Sequence, residues 1–285
     1  MAAGSPWEER GLAAALFLRR SVAAAAVFFL LLTALVALAP WLAPFDPAAM
    51  SVRERLSPPG DGFVLGADVF GRDVLSRLLH AGRVSLAIGA GVALLSSISG
   101  ILIGLLAGFF RHLDAPLSRL IDAMMAFPDI LLAISLVAVL GGSLANVIIA
   151  LSIVYAPRIA RVVRASTLVA RELPYVEAAR ALGSSTGYVL LRHVLANILS
   201  PIIVQATFIF AYAMLAESGL SFLGVGIDPA TPTWGAMINE GRLVIDQAPF
   251  LVLFPGLAIS LTVLSLQLVG DGLRDALDPR IANQM

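Results

Sequence analysis

Two aspartates, Asp122 and Asp129, stand within a run of apolar residues and are the first candidates for chemistry. They are seven residues apart, so in a continuous helix both carboxylates would lie on one face. Ionisable groups inside a membrane are costly and often functional, and a carboxylate pair suggests an intramembrane aspartyl protease. No second catalytic motif accompanies the pair, and Asp129 follows Pro128, which frees backbone groups. The sequence therefore favours a non-catalytic role, with the protease as the minor alternative.

The composition excludes several other kinds of chemistry. The chain has no Cys, which removes disulfides, thiol nucleophiles and thiolate metal sites. All 19 basic residues are Arg, so the chain lacks the Lys of a Walker A loop and of a Schiff base. His80, His112 and His193 are far apart and show no metal-ligand spacing. We expect no catalytic residue and no metal site, and any ATP must be bound by another chain.

The overall composition indicates an integral membrane protein. Apolar residues make up 59% of the chain and charged residues 13%, and the mean hydropathy is +0.92. Soluble domains have about 45–50% apolar and about 25% charged residues. The formal net charge is zero, which gives no reason to expect a nucleic-acid partner.

Six apolar runs are long enough to cross a membrane, so the predicted fold is an all-α polytopic membrane protein with six transmembrane helices. Five of the runs are residues 22–38, 86–110, 120–140, 198–215 and 250–269. The fourth run along the chain begins at 147 and ends within the Arg-bearing stretch 157–166. A short turn is predicted at 111–116. The predicted segments are an N-terminal tail with the first helix (1–43), an extracytoplasmic segment with an amphipathic helix (44–83), a five-helix core (84–270) and a C-terminal tail (271–285).

The charges of the connections predict the orientation. The connection from Arg158 to His193 holds six Arg against two Glu, so the positive-inside rule places it in the cytoplasm. The stretch 217–246 is acidic, with Arg242 as its one basic residue, and is expected outside. Six spans then place both termini in the cytoplasm.

A stripe of small residues lies in the second span. Ser96, Gly100, Gly104 and Gly108 recur every four residues, and this spacing lets two helices approach closely. The pattern favours packing within the chain, with contact between subunits as the alternative.

The stretch before the second span, residues 66–86, alternates apolar and charged residues at helical spacing. Val74 and Leu78 fall opposite Asp73 and Arg77. The pattern predicts an amphipathic helix that lies at the membrane surface and leads into the second span.

Residues 171–201 are polar and Arg-bearing, although they stand between two long apolar runs. They begin with a predicted short helix that has Val176 and Ala179 on one face and Glu177 on another. Gly183 permits a turn, after which an apolar pattern resumes toward the fifth span. This segment, here called the elbow, is therefore predicted to protrude from the membrane and to transmit force from a soluble partner.

The elbow carries a motif that resembles a known family. Glu177-Ala-Ala-x-x-x-Gly183, followed by HVLAN at 193–197, is similar to the EAA motif of permease subunits in bacterial ABC importers. Further stretches resemble the second permease subunit of the dipeptide/oligopeptide/nickel branch, and together they cover nearly the whole chain from Pro44. These stretches are residues 66–86, 155–166, 220–238 and 270–280. One residue departs from the pattern, since Ala196 stands where the family usually has Pro, and the following helix is expected to be straighter.

The resemblance implies a type I ABC importer permease fold with a cytoplasmic coupling helix, in a bacterial inner membrane. It implies that the chain works with a second, different permease subunit, two ATPase subunits and an extracytoplasmic substrate-binding protein, surrounded by membrane lipid. The ATPase subunits would bind ATP and Mg²⁺, and this chain would need no cofactor. The implied ATPase-coupling residues are Glu177, Ala178, Ala179, Arg180, Ala181, Leu182, Gly183, Ser184 and Gly187. The implied binding-protein-facing residues are Leu220, Ser221, Phe222, Leu223, Gly224, Pro232, Trp234 and Gly235.

The resemblance leaves the substrate open among dipeptides, longer peptides, glutathione, nickel chelates and related solutes. A secondary transporter is the main alternative function. Such a transporter usually shows internal repeats and intramembrane ion-coupling charges. The sequence shows no convincing repeat, and the elbow would have no task in that protein.

Overall fold

A computed structural model describes residues 20–60, 62–228 and 231–277. The predicted N-terminal tail up to residue 19 and the last eight residues of the C-terminal tail lie outside these ranges. So do Asp61 and residues 229–230. Within the described ranges the chain is helical and forms no β-strand.

The helices follow one another along the chain, and the longest connection, residues 43–73, lies between the second and the third. They are α1 (Arg20–Ala37), α2 (Ala39–Leu42), α3 (Val74–Phe109), α4 (Arg111–Met125), α5 (Asp129–Leu140), α6 (Leu144–Ala170), α7 (Pro174–Ala181), α8 (Leu199–Phe222), α9 (Trp234–Gly241) and α10 (Phe250–Leu277). Between α7 and α8 lie a helical turn, Thr186–Tyr188, a π-helical stretch, Val189–Val194, and a 3₁₀ turn, Leu195–Ile198. Two further 3₁₀ turns are Val52–Glu54 and Arg242–Val244.

Five helical segments in the described chain are long and apolar enough to cross a membrane, and a bent pair supplies a sixth. The five confirm the predicted first, second, fourth, fifth and sixth spans. The bent pair, α4 and α5, takes the place of the predicted third span, and the two helices meet at 93°. Pro128 has no backbone N–H to continue the helix and disfavours helical geometry at Phe127. The turn predicted at 111–116 is wrong, since these residues form the start of α4.

Helix α3 is continuous for 36 residues, which corrects the prediction of a separate surface helix before the second span. The Asp73 carboxylate caps it by accepting hydrogen bonds from the backbone N–H and the hydroxyl of Ser76, at 2.8 and 2.6 Å. Val74 and Arg77 are buried. The amphipathic pattern therefore marks a helix end that is covered by protein on its charged face as well.

The small-residue stripe of α3 packs against α6 within the chain, as the favoured interpretation predicted. A Cβ atom added to Gly104 would stand 2.6 Å from the carbonyl oxygen of Ala160. At Gly108 it would stand 2.6 Å from Cβ of Thr167. The stripe is thus occupied by α6, and the alternative of a subunit contact through these residues is wrong.

We expect Gly104→Ala to destabilise the protein by about 1–3 kcal/mol, because the methyl group meets backbone that cannot move aside. Gly256→Ala is the matched control, since a Cβ at this helical glycine has nothing within 4 Å. The midpoint of thermal unfolding of the two detergent-purified variants is the measurement. Equal midpoints would contradict close packing of α3 on α6.

Two hydrophobic clusters form the core on either side of α3. One joins α3 with α5, α6 and α8, and the other joins α3 with α1, α8, α9 and α10. Helices α3 and α8 belong to both clusters. A movement of either helix must therefore be felt by the whole bundle, because close-packed interiors transmit strain.

Candidate functional site

The elbow begins with helix α7, which the sequence predicted. Pro174 occupies its first turn, where a missing N–H costs nothing. The helix ends at Gly183, whose φ of +81° is a left-handed conformation that glycine adopts without strain. The backbone N–H of Gly183 donates to Arg180 O at 2.9 Å and that of Ser184 donates to Ala179 O at 3.0 Å. These two bonds form a Schellman cap and set a sharp, defined turn.

The elbow is fixed to the end of α3. Val176 and Ala179, which the sequence placed on one face, are buried together with Val189, and Phe109 packs against them. The Arg180 guanidinium lies 4.5 Å from the centre of the Phe109 ring. Arg171 Nη1 donates a hydrogen bond to Gly108 O at 2.7 Å. The elbow therefore cannot move independently of α3.

The opposite face of the elbow is free in this chain. Among the predicted coupling residues, Ala179 faces inward, Ser184 is half-buried, and the others are exposed. The exposed members are Glu177, Ala178, Arg180, Ala181, Leu182, Gly183 and Gly187. Leu182 is 87% exposed, which is unusual for a large apolar side chain beside a turn. A surface of small residues from which Leu182 protrudes suits a groove on a partner protein.

Gly183→Ala is expected to destabilise the elbow by about 1 kcal/mol, because an L side chain in the left-handed region is strained. Gly187→Ala is the matched control, since Gly187 lies in the same elbow without a positive φ and with nothing within 4 Å of an added Cβ. Hydrogen exchange of the α7 amides measures the difference. Equal exchange in both variants would contradict the cap.

The chain after the turn is helical but irregular. Tyr188 and Tyr175 both contact His193, with ring centres 5.5 and 6.1 Å apart, and this trio joins the two arms of the elbow. Ala196 lies in the 3₁₀ turn Leu195–Ile198, directly after the π-helical stretch. The entry into α8 is therefore not regular α-helix, although Thr186–Phe222 forms one continuous helical segment. The straighter helix expected from Ala196 stays a prediction.

The predicted binding-protein-facing loop lies at the other end of the bundle and is largely ordered into helices. Leu220 and Ser221 belong to the last turn of α8 and are buried. Trp234 and Gly235 begin α9 and are also buried. Pro232 is half-buried, and the exposed part is Phe222–Gly224. Only this last part of the predicted set is open for direct contact with another protein.

Trp234 explains why α9 is held so firmly. Its indole Nε1 donates to Leu78 O at 2.9 Å, and its backbone N–H donates to the Ser85 hydroxyl at 3.1 Å. Both acceptors lie on α3. This loop is thus fixed to the same helix that carries the elbow at its other end.

Glu217 was assigned to an acidic outer loop by sequence, and that assignment is wrong. Helix α8 continues past it to Phe222, and Glu217 is buried. Its carboxylate accepts hydrogen bonds from the hydroxyls of Ser221 and Thr233, at 2.7 and 2.8 Å. Glu217 therefore binds the start of α9 to α8, a role that the sequence pattern did not reveal.

The sequence pattern also did not reveal a cluster of charged residues at the same end of the bundle as Glu217. Arg77 is 3% exposed and pairs with buried Asp68 and with Glu240, whose Oε2 lies 2.8 Å from Arg77 Nη1. Arg72 bridges the same two carboxylates, at 2.6 Å to Asp68 and 2.7 Å to Glu240. This cluster ties the segment before α3 to α9.

The intramembrane aspartates have arginine partners on α6. Asp129 pairs with Arg158. Asp122 lies 2.6 Å from Arg161, and Asp114 lies 2.6 Å from Arg164. We call these three pairs the ion-pair ladder.

The ladder corrects two interpretations. Asp122 and Asp129 do not share a helical face, because the 93° bend separates them, so the premise of the protease alternative is wrong. Arg158, Arg161 and Arg164 lie inside α6, so they are not part of a cytoplasmic loop. Arginines three residues apart can pair with acidic residues of a neighbouring helix as readily as they can mark a loop. The sequence pattern does not distinguish the two cases, because the difference depends on which helix lies beside them.

The chain matches two families of known proteins. Residues 100–283 match the binding-protein-dependent transport system inner membrane component. Residues 10–59 match the N-terminal TM domain of oligopeptide transport permease C.

Curated relatives cover most of the chain. A putative peptide transport system permease protein of Brucella suis is 49% identical over 263 residues, 92% of this chain and 89% of the relative. A di/tripeptide transport system permease protein of Pseudomonas aeruginosa is 45% identical over 264 residues, 90% and 87% of the two chains. A glutathione transport system permease protein of Pectobacterium atrosepticum is 44% identical over 268 residues, 93% and 89% of the two chains.

These matches agree with a bundle of five or six spans. The family's members are permeases, so the chain is a membrane subunit of a transporter and not an enzyme. The chain belongs to the family of binding-protein-dependent transport system inner membrane components, as a multi-pass permease.

Proposed function

We propose that this permease is one of two different permease subunits of an ATP-driven importer for peptides or a closely related small solute such as glutathione. The observation that carries the proposal is the elbow, which presents an exposed surface and is fixed to the end of α3 through Phe109. The names of the relatives supply the substrate class.

The elbow would lie in the cytoplasm and dock on an ATPase subunit through Glu177, Leu182 and their exposed neighbours. Two ATPase subunits would bind ATP and Mg²⁺, in keeping with the absence of Lys from this chain. Both termini would then be cytoplasmic. This chain would contribute one half of the pathway and no catalytic group.

Force would reach the spans by two routes. Closure of the ATPases would push on α7, and the contact of Val176 with Phe109 would pass the displacement to α3. The second arm of the elbow continues into α8 through helical residues from Thr186 onward. Because α3 and α8 belong to both core clusters, their movement would reorient the bundle between inward-facing and outward-facing states.

The opposite end would face the extracytoplasmic substrate-binding protein. Phe222, Leu223 and Gly224 form its exposed surface, and the Arg242 guanidinium lies 4.5 Å from the centre of the Phe222 ring. The buried members of the predicted loop, Trp234 among them, would hold this surface in place without touching the partner.

Uptake by vesicles tests the proposal. The chain is reconstituted with its candidate second permease, ATPases and binding protein, and uptake of a radiolabelled dipeptide is measured with ATP or with a non-hydrolysable analogue. We expect uptake of the dipeptide with ATP but not with the analogue, and no uptake when any protein component is omitted. Uptake driven by a proton gradient without the ATPases would instead support a secondary transporter and would overturn the proposal.

A further inference from the structure

The first rung of the ion-pair ladder lies in the middle of a membrane helix. Arg158 is the fifteenth of the 27 residues of α6, so a rise of 1.5 Å per residue places it about 18 Å from Ala170. The hydrocarbon core of a bilayer is about 30 Å thick. Arg158 and its partner Asp129 are therefore at the depth of the lipid tails and not of the headgroups.

The ladder is paired but not buried. The side chains of Arg158 and Asp129 are 31% and 36% exposed, and those of Arg161 and Asp122 are 50% and 67% exposed. Charged side chains at this depth avoid lipid and face the bundle interior or a water-filled cavity. The exposed side of the ladder consequently does not face the lipid.

The helix break beside the ladder supplies a second, independent observation. Residues 126–128, between α4 and α5, are all exposed, and Phe127 is 60% exposed. The break stands at the end of a 12-residue helix, α5, about 18 Å from the far end of that helix. Non-helical backbone at membrane depth is tolerated only where it is buried in protein or lines water. Since the break is exposed in this chain, it must lie against water or against a partner protein, and not against lipid.

Two tyrosines extend this surface toward α8. The Arg158 guanidinium lies 5.4 Å from the ring centre of Tyr155 and 5.3 Å from that of Tyr212. Tyr212 is 40% exposed. The deep rung is thus shared by α5, α6 and α8. By contrast, the exposed face of α3 is uniformly apolar at Leu94, Ile98 and Leu102, as expected for a surface against lipid or another apolar helix.

We propose that the ion-pair ladder and the break at 126–128 form this subunit's wall of the water-filled translocation pathway. The inference rests on the proposed function as an importer and assigns the pathway to particular residues. Three guanidinium and three carboxylate groups offer both signs of charge without a net charge. Such a wall suits a solute that carries an ammonium and a carboxylate group together, as a peptide does, without holding it tightly.

Thiol accessibility tests the wall, because the chain has no Cys of its own. Ala126→Cys probes the break, and Ala165→Cys probes the ladder four residues after Arg161 on the same face. Both positions are exposed, and both substitutions leave the three ion pairs in place. Ile98→Cys, on the apolar face of α3, is the lipid control, and Val52→Cys, at a position 82% exposed outside the spans, is the aqueous control.

The assembled complex in vesicles is treated on both sides with a membrane-impermeant charged methanethiosulfonate. We expect both probes to react at least about tenfold faster than Ile98→Cys and closer to the rate of Val52→Cys. Rates as slow as those of Ile98→Cys, with Val52→Cys reactive, would show that a partner helix covers this face and would overturn the inference. Because labelling does not depend on transport, fast labelling without ATP-driven uptake would contradict the proposed function alone. Uptake with unreactive probes would contradict the wall alone.

Discussion

Leu182→Asp is expected to abolish co-purification of the ATPase subunits and to lower ATP-driven peptide uptake by at least about tenfold. The Leu182 side chain is 87% exposed in this chain, so the substitution should not disturb folding. In the proposed complex the side chain enters a groove of the ATPase, where an unpaired carboxylate would lose its hydration. A loss of about 1.4 kcal/mol in docking already corresponds to a factor of ten.

Leu243→Asp is the control for this experiment. Leu243 is 80% exposed but lies at the opposite end of the bundle, after α9. Its variant should retain the ATPases, which are measured by affinity pull-down from detergent extracts. If both variants retained the ATPases equally, the assignment of the elbow as the docking surface would be wrong.

Arg77→Ala is expected to lower the free energy of unfolding by about 2–3 kcal/mol, because it removes a buried guanidinium that is hydrogen-bonded to two carboxylates. Asp68, which is 4% exposed, would keep its pairing with Arg72 but lose its pairing with Arg77. Denaturant-induced unfolding of the detergent-purified variant measures the change.

Arg53→Ala is the matched control, because Arg53 is exposed in the same segment of the chain. Exposed substitutions usually change stability by less than about 0.5 kcal/mol. If the two variants unfolded at the same denaturant concentration, the cluster would have no structural role. A loss confined to Arg77→Ala would confirm that it holds the segment before α3 against α9.

The elbow shows how far sequence patterns can reach. The short helix, the shared face of Val176 and Ala179, and the turn at Gly183 are all local features, set by helical periodicity and by backbone freedom at glycine. The structure confirms each of them. The pattern could not show that the inward face packs on Phe109, because that contact joins residues far apart in the chain.

The third span shows where local patterns fail. Hydropathy averages over a window and reports apolar character, so residues 120–140 are predicted as one span. Pro128 indicates a disturbance, but a proline can kink a helix or end it. In the folded chain helix α4 ends before Pro128, and α5 continues at an angle of 93° to it.

The sequence alone determined the class of protein, the number and order of the apolar segments, the elbow and the family. Each of these follows from composition, periodicity or motif, which need no information about neighbours. The tertiary structure decided the surroundings of every charge. Glu217 and Arg77 are buried and connect helices, and Asp114, Asp122 and Asp129 form ion pairs with arginines on α6. The physical reason is that the cost of a charge depends on its partners and its access to water, and these come from segments far away in the sequence.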